Sequence, residues 1–292
     1  MIFEIGTDKM RFSFSALGGE LISAATSDGF EYIWQGDGNY WEKHAPLLFP
    51  ICGRLKNSKY SFNKKEYELG CHGFLSNSLM EISKISDNNI IFSLSDSEST
   101  RAVFPFPFKL TVSYEAENTA LHIKSTVENT GKTELPFMFG AHPGFNLPLD
   151  NGISKEDYFI DFGCNECTIH GLDEEKSFVS QNDEKYYFKN GLFKIDEAKL
   201  AQMGTAIFSG VSDEVKLFSP RGKRGVKINY SEEFKYFCVW KFPSEYADFI
   251  CLEPWSGIPG NGINDEILET RSSMIRLKPN ESKTFNYSIT FI

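Results

Sequence analysis

The chain has 292 residues, 41% of them hydrophobic and 15% aromatic, with 27 Phe, and carries a formal net charge of -10. An acidic balance excludes the basic footprint that nucleic acid and anionic membrane surfaces select. The apolar runs are short of the ~18 residues of a membrane span, and Met1-Ile2-Phe3-Glu4-Ile5-Gly6 lacks the basic start and apolar stretch of a leader. The expectation is therefore a soluble, cytoplasmic protein with neither nucleic acid nor membrane as a partner.

Period-two alternation dominates the chain, and such alternation marks strands with one buried face. Strands are predicted at 79–82, 90–94, 108–114 and 121–127, with a hairpin loop at 115–120. Further runs follow at 206–208, 215–218, 226–228, 237–240, 249–252, 274–277 and 285–289. Asn/Gly/Asp clusters such as Asp87-Asn88-Asn89, Asn129-Thr130-Gly131 and Asp150-Asn151-Gly152 punctuate them. One helix is predicted at 196–202, with Asp196 as its N-cap. Strands at this spacing give a β-sandwich or barrel, and the phenylalanines suit a sheet-on-sheet core. Neither a linker nor a repeat divides the chain, so residues 1–292 are read as one all-β domain.

The six cysteines are Cys52, Cys71, Cys164, Cys167, Cys238 and Cys251. In a long chain with no leader they read as reduced thiols. Cys164-Asn165-Glu166-Cys167 is a lone CxxC, with His170 its nearest possible third zinc ligand; a zinc site needs four.

Among the histidines, His122 alternates with Leu121 and Ile123 and reads as a surface residue, His170 reads as exposed, and His44 is ambiguous. His72-Gly73-Phe74 and His142-Pro143-Gly144-Phe145 are different, because Gly and Pro end a strand and turn the backbone where ligands bind. Each histidine is either a ligand-facing acid/base group or a structural residue at a turn. Arg54, among Cys52, Gly53 and Leu55, must snorkel or find a partner, and its fork of donors suits vicinal hydroxyls or a carboxylate. Glu253 follows the apolar run 249–252 and precedes Pro254-Trp255. Desolvation there would raise its pKa, and Trp255 offers a flat face for a sugar ring. An imidazole and such a carboxyl in one pocket form an acid/base pair. No GxSxG, HExxH or P-loop occurs in the sequence. The stretch Gly257-Ile258-Pro259-Gly260-Asn261-Gly262 reads as a loop beside the site.

Taken in order, Pro46-Leu47-Leu48-Phe49-Pro50 with Gly53-Arg54-Leu55, His72-Gly73-Phe74, Gly140-Ala141-His142-Pro143-Gly144-Phe145-Asn146 and Cys251-Leu252-Glu253-Pro254-Trp255 resemble the aldose 1-epimerase (galactose mutarotase) family, and its LacX-like branch in particular. The resemblance implies a large antiparallel β-sandwich, the galactose mutarotase-like supersandwich, in a monomer or homodimer. It implies interconversion of the α and β anomers of a free monosaccharide such as galactose or glucose, with no cofactor and no metal. His142 would protonate the ring oxygen, and Glu253 would take the proton of the C1 hydroxyl. Arg54, His72 and Trp255 would bind the sugar, with Asp213 as the acidic ligand to ring hydroxyls. Two alternatives remain open: a mutarotase of hexose phosphates, for which Arg101 and Lys56 could supply charge, and a carbohydrate-binding protein without catalysis. A glycosidase needs two carboxylates about one bond, and only one is evident.

Overall fold

The computed structural model of the chain describes residues 1–173, 178–260 and 266–292. Two large antiparallel sheets dominate it. The first has nine strands, ordered Leu192–Lys194, Phe159–Asp161, Glu214–Phe218, Gly225–Tyr230, Ser282–Phe291, Ala120–Asn129, Phe108–Glu117, Asn89–Ser95 and Glu81–Ile85. The second runs Val179–Tyr187, Glu166–Leu172, Thr205–Ser209, Tyr236–Trp240, Phe249–Trp255, Gly140–Ala141 and Leu47–Leu48, and Gly144–Asn146 also pairs with Phe249–Trp255. Their facing sides meet through phenyl and phenol rings: Phe49 on Phe108 at 5.0 Å between centroids, Phe139 on Phe285 at 5.0 Å and Tyr230 on Phe237 at 5.5 Å. Ring pairs at such separations add to the area they bury. Of the sandwich or barrel expected from the alternation, the observed fold is the antiparallel β-sandwich that the resemblance implied.

Individual elements follow the pattern closely. Phe108–Glu117 buries every second residue, Phe108, Leu110, Val112, Tyr114 and Ala116. The hairpin loop is tighter than 115–120. The strands continue to Glu117 and from Ala120, because Asn118 adopts φ 52° and closes a two-residue turn. The predicted helix is Glu197–Met203, and the Asp196 carboxylate accepts the Lys199 N–H at 3.0 Å. Several elements were not anticipated, among them a helix and an N-terminal sheet. Helix Glu98–Val103 is too short for periodicity to reveal, but Ser97 and Thr100 form a reciprocal capping box at its start. A three-stranded sheet, Ile2–Gly6, Met10–Ser15 and Leu21–Thr26, adds Phe12 and Phe14 to the core. Among the described residues no helix is long and apolar enough to cross a membrane.

Candidate active site

One cleft of about 540 Å³ opens over the second sheet, and Arg54, His72, His142, Glu253 and Trp255 all line it. The residues singled out from four separate motifs therefore meet. Glu253 lies on the interior strand Phe249–Trp255, in register with Cys238 on one side, and no residue of that strand is exposed. His142 occupies a break between two short strands. Gly140–Ala141 pairs with Leu47–Leu48, and Gly144–Asn146 pairs with Phe249–Trp255. Pro143 cannot donate to a ladder, but its carbonyl accepts the Leu252 N–H at 3.2 Å. The His142 N–H reaches the Pro46 carbonyl at 2.9 Å. The interruption thereby fixes an imidazole against the strand that carries the carboxyl.

His142 Nε2 stands 3.2 Å from Glu253 Oε2. Both residues are buried, at 7% and 0% exposure. Among the described residues, His142 Nδ1 and both Glu253 oxygens lack a hydrogen-bond partner. Burial pushes the Glu253 carboxyl well above the usual carboxylate range. Burial, and then the neighbouring His72, hold the His142 imidazole well below its ordinary value. Both directions follow from the cost of charge in an apolar surround. A pair with one proton between them always contains one acid and one base, whichever group holds it.

His72 packs edge-on to both His142 and Trp255, at 5.3 and 5.6 Å between centroids. Its Nδ1 accepts the Gly53 N–H at 3.1 Å. Burial, and then Arg54, lower its pKa to about 4, so the ring is neutral near pH 7 with its proton on Nε2. Glycine is required at two points of this wall. Gly73 has φ 77°, and a Cβ there would meet the Phe49 carbonyl oxygen at 2.2 Å; Gly53 has φ 80°, and a Cβ would meet Pro259 Cγ at 2.2 Å. The exposed Arg54 makes no ion pair or hydrogen bond among the described residues, so of the two readings offered for it, snorkelling or pairing, no pairing is seen there.

Asp213 does not reach the cleft. It precedes Glu214–Phe218 of the other sheet and lines a separate depression with Tyr230, Ser231 and Asn286. Arg101 pairs with Asp96 at 3.2 Å, and Lys56 is exposed; neither lines the cleft. His170 is not exposed as expected: its side chain is 10% accessible and bridges Asp183 at 3.0 Å and Ser209 at 2.8 Å. His122 is half exposed beside Glu117, as its strand position suggested. All six cysteines are free thiols. In the glycine-rich stretch, Pro259 does line the cleft, while Asn261 and Gly262 lie outside the described residues.

Among the lining residues that were missed, three bear on the chemistry. Trp41 and Trp240 flank His142 at 4.9 and 5.7 Å between centroids. Both are more accessible than Trp255, which is 3% exposed, so they offer a ligand more aromatic surface. Buried Lys241 gives hydrogen bonds to the Ser244 and Ala247 carbonyls and pairs with Glu197 at 3.1 Å. Trp240-Lys241-Phe242-Pro243 carries the same signal as His142-Pro143, a proton-carrying residue between a strand and a proline.

Known proteins resemble this chain over its whole length. The profile of the family described as aldose 1-epimerase matches residues 1–290. The plasmid-borne protein LacX of Lactococcus lactis subsp. lactis is 29% identical over 301 aligned residues, covering 100% of both chains. A galactose mutarotase related enzyme from Lactobacillus acidophilus superposes with a TM-score of 0.92 at 29% identity, over 100% of this chain and 97% of that one. A galactose mutarotase-like protein from Lactobacillus casei ATCC 334 gives 0.90 at 25% identity over 100% of both.

Proposed function

Because this chain belongs to the aldose 1-epimerase family, we propose that it is a cytoplasmic mutarotase that interconverts the α and β anomers of a free hexose by opening and reclosing the ring. The observation that carries the reading is the buried contact of 3.2 Å between His142 Nε2 and Glu253 Oε2 at a cleft wall. Ring opening requires loss of the O1 proton and protonation of O5. The shared proton, which burial leaves on Glu253 at rest, first passes across the 3.2 Å contact to His142; Glu253, then the carboxylate, takes the O1 proton, and His142 supplies the second. The free aldehyde turns about its C1–C2 bond and recloses on the other face, with the same two groups working in reverse. Each positioned proton transfer contributes roughly 10²–10⁴-fold. His72 Nε2–H and the Arg54 guanidinium donate to sugar oxygens, while Trp41, Trp240 and Trp255 supply apolar wall.

Two features favour this reading over its alternatives. A carboxyl buried with no hydrogen bond costs stability, and a passive sugar-binding protein has no use for it. A phosphorylated sugar would meet Arg54 as the one unengaged cation among the described lining residues, since Lys241 is held by Glu197. Polarimetry on freshly dissolved α-D-galactose and α-D-glucose tests the proposal. Faster relaxation to an unchanged final rotation is expected with at least one sugar. No acceleration of either, but acceleration of a hexose 6-phosphate, would transfer the assignment to that substrate.

A further inference from the structure

His142, Cys251 and Glu253 bring one ligand atom each to within 4.8 Å of one another, and all three residues are buried. Cys251 and Glu253 are alternate residues of one strand and so project to one face. The contact of 3.2 Å between His142 Nε2 and Glu253 Oε2 already matches the edge of about 3.3 Å between nitrogen and oxygen ligands of a tetrahedral zinc ion. A sulfur-to-nitrogen edge of about 3.6 Å completes such a site, so bringing Cys251 Sγ onto the ion needs a local shift on the order of 1 Å. The nitrogen, oxygen and sulfur set is the one zinc prefers, and three protein ligands leave its fourth position open. His142 and Glu253 both line the cleft, which gives an ion its way in.

We infer that His142 and Glu253 at the cleft wall, with the buried Cys251, form an inhibitory site for Zn²⁺. The inference rests on the mutarotase reading for its consequence but not for the binding itself. On binding, the thiol proton of Cys251 and the proton shared by His142 and Glu253 leave to solvent. The dication with a thiolate and a carboxylate is then a neutral unit, which suits the buried position. The ion occupies both proton-carrying groups at once, so ring opening stops while it stays. Cys251 is the discriminating residue, because the proposed ring opening uses the other two but not the thiol.

The test titrates metal-free protein with Zn²⁺ by calorimetry and with Co²⁺ by absorbance, where a thiolate ligand adds a charge-transfer band. Wild type is expected to bind one ion, with that band. Cys251→Ser and Cys251→Ala should lose the band and weaken binding by at least the roughly 10–100-fold that loss of an outer-shell partner costs. Cys164→Ser/Cys167→Ser should bind as wild type does. In polarimetry, the ratio of rates with and without Zn²⁺ should fall in wild type and stay near one in Cys251→Ser. Absence of one-to-one binding, equal binding by folded Cys251 variants, or loss of binding in Cys164→Ser/Cys167→Ser would overturn the site. Cys251-dependent binding in a protein that accelerates no mutarotation would uphold the site and overturn the enzymatic reading instead.

Discussion

Gly53 and His72 hold each other by two hydrogen bonds. The Gly53 N–H donates to His72 Nδ1 at 3.1 Å, and the His72 backbone N–H donates to the Gly53 carbonyl at 2.8 Å. Protonating the ring would destroy the first bond, and the structure resists it: burial and the nearby Arg54 charge bring the pKa from 6.5 to about 4. As pH falls, the unfolded chain therefore takes up this proton before the folded one does. The contribution to stability is complete above about pH 6.5 and is lost progressively towards pH 4. His72→Asn keeps an acceptor where Nδ1 stood but cannot titrate. Its melting temperature should fall less steeply than that of wild type between these pH values, as thermal melts by circular dichroism would read. Parallel curves would refute the linkage.

Removal of either proton-carrying group should stop turnover without unfolding the protein. His142→Ala and Glu253→Gln are each expected to lower kcat by roughly 10²–10⁴-fold, with far-ultraviolet dichroism unchanged. Near-wild-type relaxation of α-galactose in both would sink the acid/base assignment.

Glu253→Gln should also be more stable than wild type at neutral pH. The folded carboxyl is held well above its ordinary pKa of 4.5 by burial. Above about pH 4.5 the unfolded chain gives up that proton while the folded chain retains it, so stability declines as pH rises. An amide of the same shape has no proton to lose. The expected gain is about 0.5–2 kcal/mol, measured by urea unfolding at pH 7, and it should vanish near pH 4. A variant less stable than wild type at pH 7 would contradict the electrostatic account of Glu253.

Arg54 is exposed and unengaged by described residues, so its loss should be felt by substrate and not by the fold. Arg54→Ala should raise KM about tenfold or more, from the ~1.5–3 kcal/mol of a charged hydrogen bond. Its effect on stability should stay within about 0.5 kcal/mol. Arg54→Lys should recover only part, since an ammonium lacks the guanidinium fork. Asp213→Asn, outside the cleft, should leave both constants unchanged. Initial rates across sugar concentrations separate these outcomes.

The fold was legible because a half-buried strand writes itself into sequence at period two, and Phe108–Glu117 does so without a break. The site was legible where chemistry and punctuation coincide, as in His142-Pro143-Gly144 and Glu253-Pro254-Trp255. Asp213 was misplaced for a physical reason: the type of a residue does not state which of two sheets carries it, and strand order in space is not strand order in sequence. His170 was read as exposed because the side chains that enclose it, Ser209 and Tyr236, come from strands far along the chain. Trp41 escaped notice because it lies in a loop segment with no strand pattern, brought to His142 only by the fold.

Glu253 sits on a strand with neighbours on both flanks and no exposed residue. Segments of this kind exchange their amide hydrogens only when the entire molecule opens. The amides of Cys251, Leu252 and Glu253 should therefore be among the slowest in a deuterium-exchange experiment, at the free energy of global unfolding. If the chain is the mutarotase proposed, heating should then not free the carboxyl from its strand before the fold as a whole gives way.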